Sequence, residues 1–303
     1  MNWPTRNAQR QQFSARFLAH SAQTRPLPGI QDPRALDTLA LQLVASVRRE
    51  DYYRLVQARP ISPRRADPHD ALFNPEQAVA MHLANGNLDE AAWLVFLMTH
   101  FAKPADSGWL RLRDVYGMLG NGLWDWPSVS GSPAAFDTWL AANWISIRGK
   151  FGNHRKYESL RPGSARYTGH VVREYVRLIG AHGHQAFLQG VLAHVPNDRF
   201  DAMYKSLTIP SFGRLAKFDY LMLLARYGIV TMQPLSAYLH GATGPSRGAR
   251  LLFNGAANAN TPPAQLQQML DDLDGDLQVG MAVLEDALCN WQKSPLSFVH
   301  FRG

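Results

Sequence analysis

Three short stretches of this sequence gather side chains able to do polar chemistry. The first is Gly149-Lys150-Phe151-Gly152-Asn153-His154-Arg155-Lys156-Tyr157-Glu158-Ser159-Leu160, which puts cations, an imidazole, a carboxylate and two glycines within twelve positions. Cations and backbone N–H donors so concentrated are what a pyrophosphate needs; a solvated basic loop at a helix end is the plainer alternative. The second is Tyr238-Leu239-His240-Gly241-Ala242-Thr243-Gly244-Pro245-Ser246-Arg247-Gly248-Ala249-Arg250. Its three glycines flank Arg247 and Arg250 ahead of a short helix, which suits either an anion-binding nest or a turn-rich connection. The third is His100 with Lys103, followed by Trp109. Emerging from an apolar helix, this pair could line a pocket floor or simply cap the helix.

A fourth stretch points to a polyanion. Thr208-Ile209-Pro210-Ser211-Phe212-Gly213-Arg214-Leu215-Ala216 precedes an amphipathic run to Tyr227, in the manner of a helix–hairpin–helix element. Such a turn aims backbone N–H groups at a DNA phosphate from a helix N-terminus. Pro210, Ser211 and Gly213 would form the bend, with Arg214 and Lys217 adding charge; an ordinary turn between core helices is the alternative. DNA glycosylases built on this hairpin place a catalytic Asp downstream of it, and their lyase members carry a Lys just after the Gly. Here Leu215 fills the Lys position, and Leu235 or Ser236 falls where the Asp would be. The scaffold is similar to a glycosylase while the carboxylate its chemistry needs is missing.

Trp124, Trp126, Tyr157 and Tyr238 could stack on an extruded base, though aromatics in such settings also serve as core. His182 and His184 have no partner with metal-ligand spacing, and HExxH, GxSxG and GxGxxG are all absent. The single cysteine, Cys289, excludes an internal disulfide and any zinc site with two Cys ligands; its apolar neighbours make it a small packing residue.

The elements that must position these groups read as helices. From Asp32 to Gln57 the apolar residues recur at helical spacing. Asn74-Pro75-Glu76 and Asn87 with Glu90 read as helix starts, the second opening a run, DEAAWLVFLMTHF, apolar enough to be central. ARPISPRRADPHD reads as an irregular linker. Further helical segments follow to the C-terminus, with no strand alternation and no repeat. The expected fold is all-α with ten or more helices, arranged as a basic arm (1–33), a helix and linker (34–69), a catalytic core (70–255) and C-terminal helices (256–303).

The 303 residues include 46% apolar side chains, an ordinary globular share. Lys and Arg number 31 against 24 Asp and Glu, a balance of +7 that suits DNA without requiring it. With no secretory signal and no long apolar run, a cytoplasmic setting is expected, in a host cell if the chain is phage-encoded.

Four blocks, LDEAAWLVFLMTHF, GNHRKYESL, FGRLAKFDYLMLLARYG and SAYLHGATGPSRGARLLF, resemble the α-glutamyl/putrescinyl-thymine pyrophosphorylases, the amino acid:DNA transferases of phage thymidine hypermodification. The resemblance covers roughly residues 70–255 and implies a helix–hairpin–helix glycosylase-like architecture. It also implies a reaction: a hydroxymethyluracil in DNA, activated as its pyrophosphate ester by a DNA kinase, loses pyrophosphate to an amino acid such as glycine or serine, or to a polyamine.

On that footing His154, Lys150, Arg155, Lys156, Arg247, Arg250, His100 and Lys103 would hold the pyrophosphate, and Glu158 or Asp219, with His154, would move protons. Asp219 could instead pair structurally with Arg214 or Lys217. No cofactor and no metal site are expected, beyond a monovalent cation at the hairpin or Mg2+ accompanying pyrophosphate; no membrane is a partner. A base-excision glycosylase and a non-catalytic DNA-binding module are the competing readings.

Overall fold

The computed structural model describes residues 3–301. Within them lie fourteen α-helices, no strand, and one isolated bridge between Ser159 and Tyr167, so the all-α expectation holds. In chain order the helices are α1 (Asn7–Gln23), α2 (Pro33–Gln57), α3 (Pro75–Ala84), α4 (Leu88–Phe101), α5 (Leu110–Tyr116), α6 (Trp126–Gly131) and α7 (Pro133–Asn143), then α8 (Thr168–Ile179), α9 (Gly183–Leu192), α10 (Arg199–Ser206), α11 (Arg214–Arg226), α12 (Thr243–Asn254), α13 (Pro263–Leu277) and α14 (Met281–Trp291). Among the described residues no helix is long and apolar enough to cross a membrane.

The chain forms two compact units, one from residues up to Tyr52 together with those from Pro234 onward, the other from Tyr53–Gln233. This differs from the expected division at 33, 69 and 255. The supposed basic arm is largely α1, whose Phe13 and Phe17, one turn apart, are buried with α13 and α14 residues such as Leu266, Leu270 and Trp291. A polar composition hid that narrow apolar stripe.

In this first unit α12 packs closely on α14. A Cβ at Gly248 would overlap the Leu288 carbonyl, and one at Gly244 would lie 2.5 Å from Cys289 Sγ. These glycines sit inside a helix because the neighbouring backbone leaves no space for a side chain. The expected anion-binding nest is therefore corrected: GPSRGAR is helix, and of the three glycines in that stretch only Gly241, before the helix, has a positive φ (73°). Arg49 pairs with Asp286 and His20 Nδ1 lies 2.6 Å from Asp276, tying α2 to α14 and α1 to α13.

The second unit is organised around α4, buried on nearly every side. Both predicted starts exist: Asn74 accepts from Glu76 N, and Asn87 from Glu90 N. The Glu90 side chain does not reach back to complete a capping box. It is buried, accepting from Tyr116 Oη (2.5 Å) and the Trp126 amide (2.7 Å). Burial pushes its pKa up to about 7, against the pull of those two donors.

Trp93, Phe96 and His100, at helical spacing on α4, make an aromatic column with Tyr175 of α8 and Phe212 of the bend; the Phe96–Tyr175 centroids are 3.8 Å apart and the Phe96–Phe212 centroids 5.5 Å. Tyr175 Oη also meets His184 Nε2 (2.7 Å) and Tyr220 Oη (3.1 Å), while His184 Nδ1 meets Asp89 (2.8 Å). This chain of hydrogen bonds satisfies otherwise costly buried polar groups and joins α4, α8, α9 and α11.

Candidate functional site

The polar loop 149–160 starts against the end of α4. Gly152 N donates to the Phe101 carbonyl (2.8 Å), and a Cβ at Gly152 would come within 2.7 Å of that of Ala102. Only glycine lets the loop approach this closely. A short 3-10 turn, Asn153–Arg155, then carries Arg155 inward. Its guanidinium donates from Nη1 to the Ser211 carbonyl (2.7 Å), stands 4.9 Å from the Phe212 ring centroid, and reaches the His100 carbonyl through Nε (3.4 Å). One side chain thus joins the polar loop, the end of α4 and the bend between α10 and α11.

Beside it lies Glu158, with a side chain only 2% exposed. Oε1 is 3.5 Å from Arg155 Nη2 and 3.7 Å from Arg166 Nη1, while Oε2 is buried with no hydrogen-bond partner. Burial raises its pKa above the usual carboxylate value; Arg155, the Ser211 side chain and Arg166 act the other way. His154 Nδ1 and Asp219 Oδ2 approach to 3.5 Å, both about half exposed.

The bend itself has the helix–turn–helix form expected from its sequence. Ile209 and Phe212 are buried, and Phe212 N bonds back to the Ile209 carbonyl (3.1 Å). Ser211, not the glycine, takes the left-handed conformation (φ 65°). Gly213 is extended, has open space where a Cβ would project, and leads into α11 without a side-chain cap. The structure brings Glu158, Asp219 and His154 together with the Pro210–Gly213 bend in one unit.

Other assignments change. His100 is fully buried, and burial, with the nearby Arg155 charge, holds its pKa well below the usual value. It is a neutral imidazole bonded to Thr168 Oγ1 (2.9 Å), not a pyrophosphate cation. Arg155 likewise has its guanidinium committed to protein partners, so it braces the site from beneath. Trp124 and Trp126 are core: the Trp124 carbonyl accepts from Trp93 Nε1 (2.8 Å), and the Trp126 ring packs 4.3 Å from that of His184. Neither presents a face to a base.

Lys103 pairs with Glu76 (3.1 Å) and Lys150 with Asp106 (2.8 Å), so both are partly neutralised. Lys217 donates to the Tyr204 carbonyl (3.1 Å), and Arg214 stands 5.0 Å from the Phe218 ring centroid. Tyr157 is 68% exposed, with Lys156 and Arg166 at 5.1 and 5.6 Å from its ring centroid. Arg247, Arg250 and Tyr238 belong to the first unit. There Arg250 bonds the Thr261 carbonyl (3.2 Å), Arg247 is exposed, and Tyr238 is half-buried with φ 48°.

Arg166 was not anticipated. It reaches Glu158 because Ser159 N bonds the Arg166 carbonyl (3.0 Å) and Thr168 N the Ser159 carbonyl (2.8 Å), folding RPGSARY back on the polar loop. The Pro-Gly pair within that segment was the available sign of the return.

The second unit thus mounts a buried carboxylate, Glu158, beside a helix–bend–helix element. The family model described as alpha-glutamyl/putrescinyl thymine pyrophosphorylase clade 3 matches residues 34–303, and the chain belongs to that family. The match extends beyond the 70–255 region of the sequence resemblance on both sides. No curated protein and no solved structure matches the chain. Membership makes this an enzyme of thymine modification with pyrophosphate chemistry.

Proposed function

We propose that the chain is a DNA base-modifying transferase that displaces pyrophosphate from 5-pyrophosphoryloxymethyl-deoxyuridine within DNA, using an amino acid or amine as nucleophile. One observation supports this most directly: Arg155 ties the loop bearing Glu158 to the bend that opens α11, so a carboxylate with an unused oxygen and a backbone suited to phosphate stand side by side.

The hairpin takes the DNA backbone through the uncapped N-terminal amides of α11, with Gly213 permitting close approach. Tyr157 stacks on the extruded base, and Lys156 beside that ring faces the diphosphate. Glu158, whose pKa burial raises, accepts a proton from the nucleophile's ammonium group. The nitrogen lone pair then forms a C–N bond to the base methylene as the C–O bond to the diphosphate breaks, its electron pair leaving with pyrophosphate. Asp219, 3.5 Å from His154 Nδ1, is the alternative base.

The test is nucleoside mass spectrometry on DNA carrying the pyrophosphorylated base, incubated with the protein and single amines or amino acids. An adduct of the expected mass with stoichiometric pyrophosphate release supports the reading. Abasic sites formed without any amine would assign a glycosylase instead, and DNA binding without product a non-catalytic module.

A further inference from the structure

Two groups of opposite charge stand together at the edge of the polar loop with unmet demands. The Glu158 carboxylate is faced by Arg155, Arg166 and the Ser211 side chain, yet its Oε2 stays buried with no hydrogen-bond partner. An unsatisfied buried acceptor destabilises the fold, and a bound donor would remove that cost. Arg166 has the converse need. Its nearest approach to Glu158, 3.7 Å, is beyond a good hydrogen bond, and 52% of its side chain faces solvent. Both residues ride on backbone segments locked together through Ser159, Arg166 and Thr168, so their spacing is fixed by the fold.

Taking the transferase reading as its basis, we infer that Glu158 and Arg166 form the nucleophile site and that the nucleophile is a zwitterion: an α-amino acid whose ammonium group donates to Glu158 Oε2 and whose carboxylate is held by Arg166. A guanidinium offers a planar fork that matches a carboxylate. A diamine has a cation at each end, and its second ammonium would face Arg166 and Lys156. Like charges so close repel, and more strongly as water is excluded. Arg166 is thus a specificity residue, acting on the choice of nucleophile and not on the bond that breaks. During transfer Glu158 takes one ammonium proton, the lone pair so freed attacks the methylene carbon, and the carboxylate stays with Arg166 while pyrophosphate departs with the electrons of the broken C–O bond.

The experiment offers activated DNA equal concentrations of glycine and putrescine and reads the adduct ratio by nucleoside mass spectrometry for wild type, Arg166→Gln, Arg166→Glu and Arg166→Lys. A parallel arm measures glycine binding to wild type and Arg166→Gln by equilibrium dialysis without DNA. Wild type is expected to favour glycine by at least about ten-fold, the Gln variant to lose that preference, the Glu variant to invert it and the Lys variant to recover part of it. Wild-type preference for putrescine, or equal loss of both adducts in Arg166→Gln, overturns the assignment. If wild type yields no adduct with any nucleophile yet binds glycine through Arg166, the zwitterion site stands and the transferase reading falls. Absence of both product and binding removes both.

Discussion

Arg155 Nη1 lies 2.7 Å from the Ser211 carbonyl oxygen, so the polar loop and the hairpin bend move as one piece. The same guanidinium faces the nearly inaccessible Glu158. Arg155→Ala removes the nearest cation from a buried carboxylate and leaves only Arg166 and the Ser211 side chain beside it, so it is expected to cost about 3 kcal/mol of stability in denaturant unfolding, the low end for a broken buried pair. Arg155→Lys recovers little, because one ammonium cannot serve Ser211, His100 and Glu158 together. A loss below about 1 kcal/mol for the Ala variant would contradict the bracing role.

Glu90 gives the second unit a pH dependence. The folded chain holds this proton up to about pH 7, whereas the unfolded chain releases it near 4.5. Folding is therefore favoured most by this group below pH 4.5; that contribution falls as pH rises through the interval and is gone above 7, a change of about 3 kcal/mol. Glu90→Gln stays neutral throughout, accepting from the Trp126 amide and donating to Tyr116 Oη. It is expected to flatten the stability profile between pH 5 and 8, measured by denaturant midpoints. Equal slopes for variant and wild type would show that Glu90 does not titrate in this range.

The same substitution at two helical glycines is expected to have opposite signs. Gly275 in α13 has open space around it, so Gly275→Ala gains helix propensity, about 0.5–1 kcal/mol. Gly248→Ala drives a methyl into the Leu288 carbonyl, and overpacking of about 1–3 kcal/mol outweighs that gain. Thermal unfolding of the two variants decides the point: Gly275→Ala melts above wild type and Gly248→Ala below.

At the hairpin, salt dependence of DNA binding separates the two cations. Lys217 is committed to the Tyr204 carbonyl, while Arg214 sits in the first turn of α11 over Phe218. Arg214→Ala is expected to reduce the slope of log K against log salt by about 1, and Lys217→Ala by less. Unchanged slopes in both would remove the hairpin from the DNA interface.

Much of this architecture was legible where local chemistry decides it. Asn74 and Asn87 announced their helices because an N-cap acts over three residues, and Ile209-Pro210-Ser211-Phe212-Gly213 announced its bend. The apolar run of α4 marked the centre of its unit. What escaped depends on distant partners. Phe13 and Phe17 looked like part of a polar arm until the C-terminal helices supplied their core. Gly244 and Gly248 looked like room for an anion because nothing nearby in sequence reveals that α14 presses against them. His100 and Arg155 read as cations for a pyrophosphate, and their burial follows from the packing of α8 and the bend. Arg166 became visible only once its segment folded back on Ser159.

The tight seat of Gly244 on Cys289 gives the chain a built-in reporter. Cys289 holds its only thiol, partly exposed, with its sulfur directed towards Gly244 at the α12–α14 contact. A thiol reagent therefore marks that one helix contact without any engineered label.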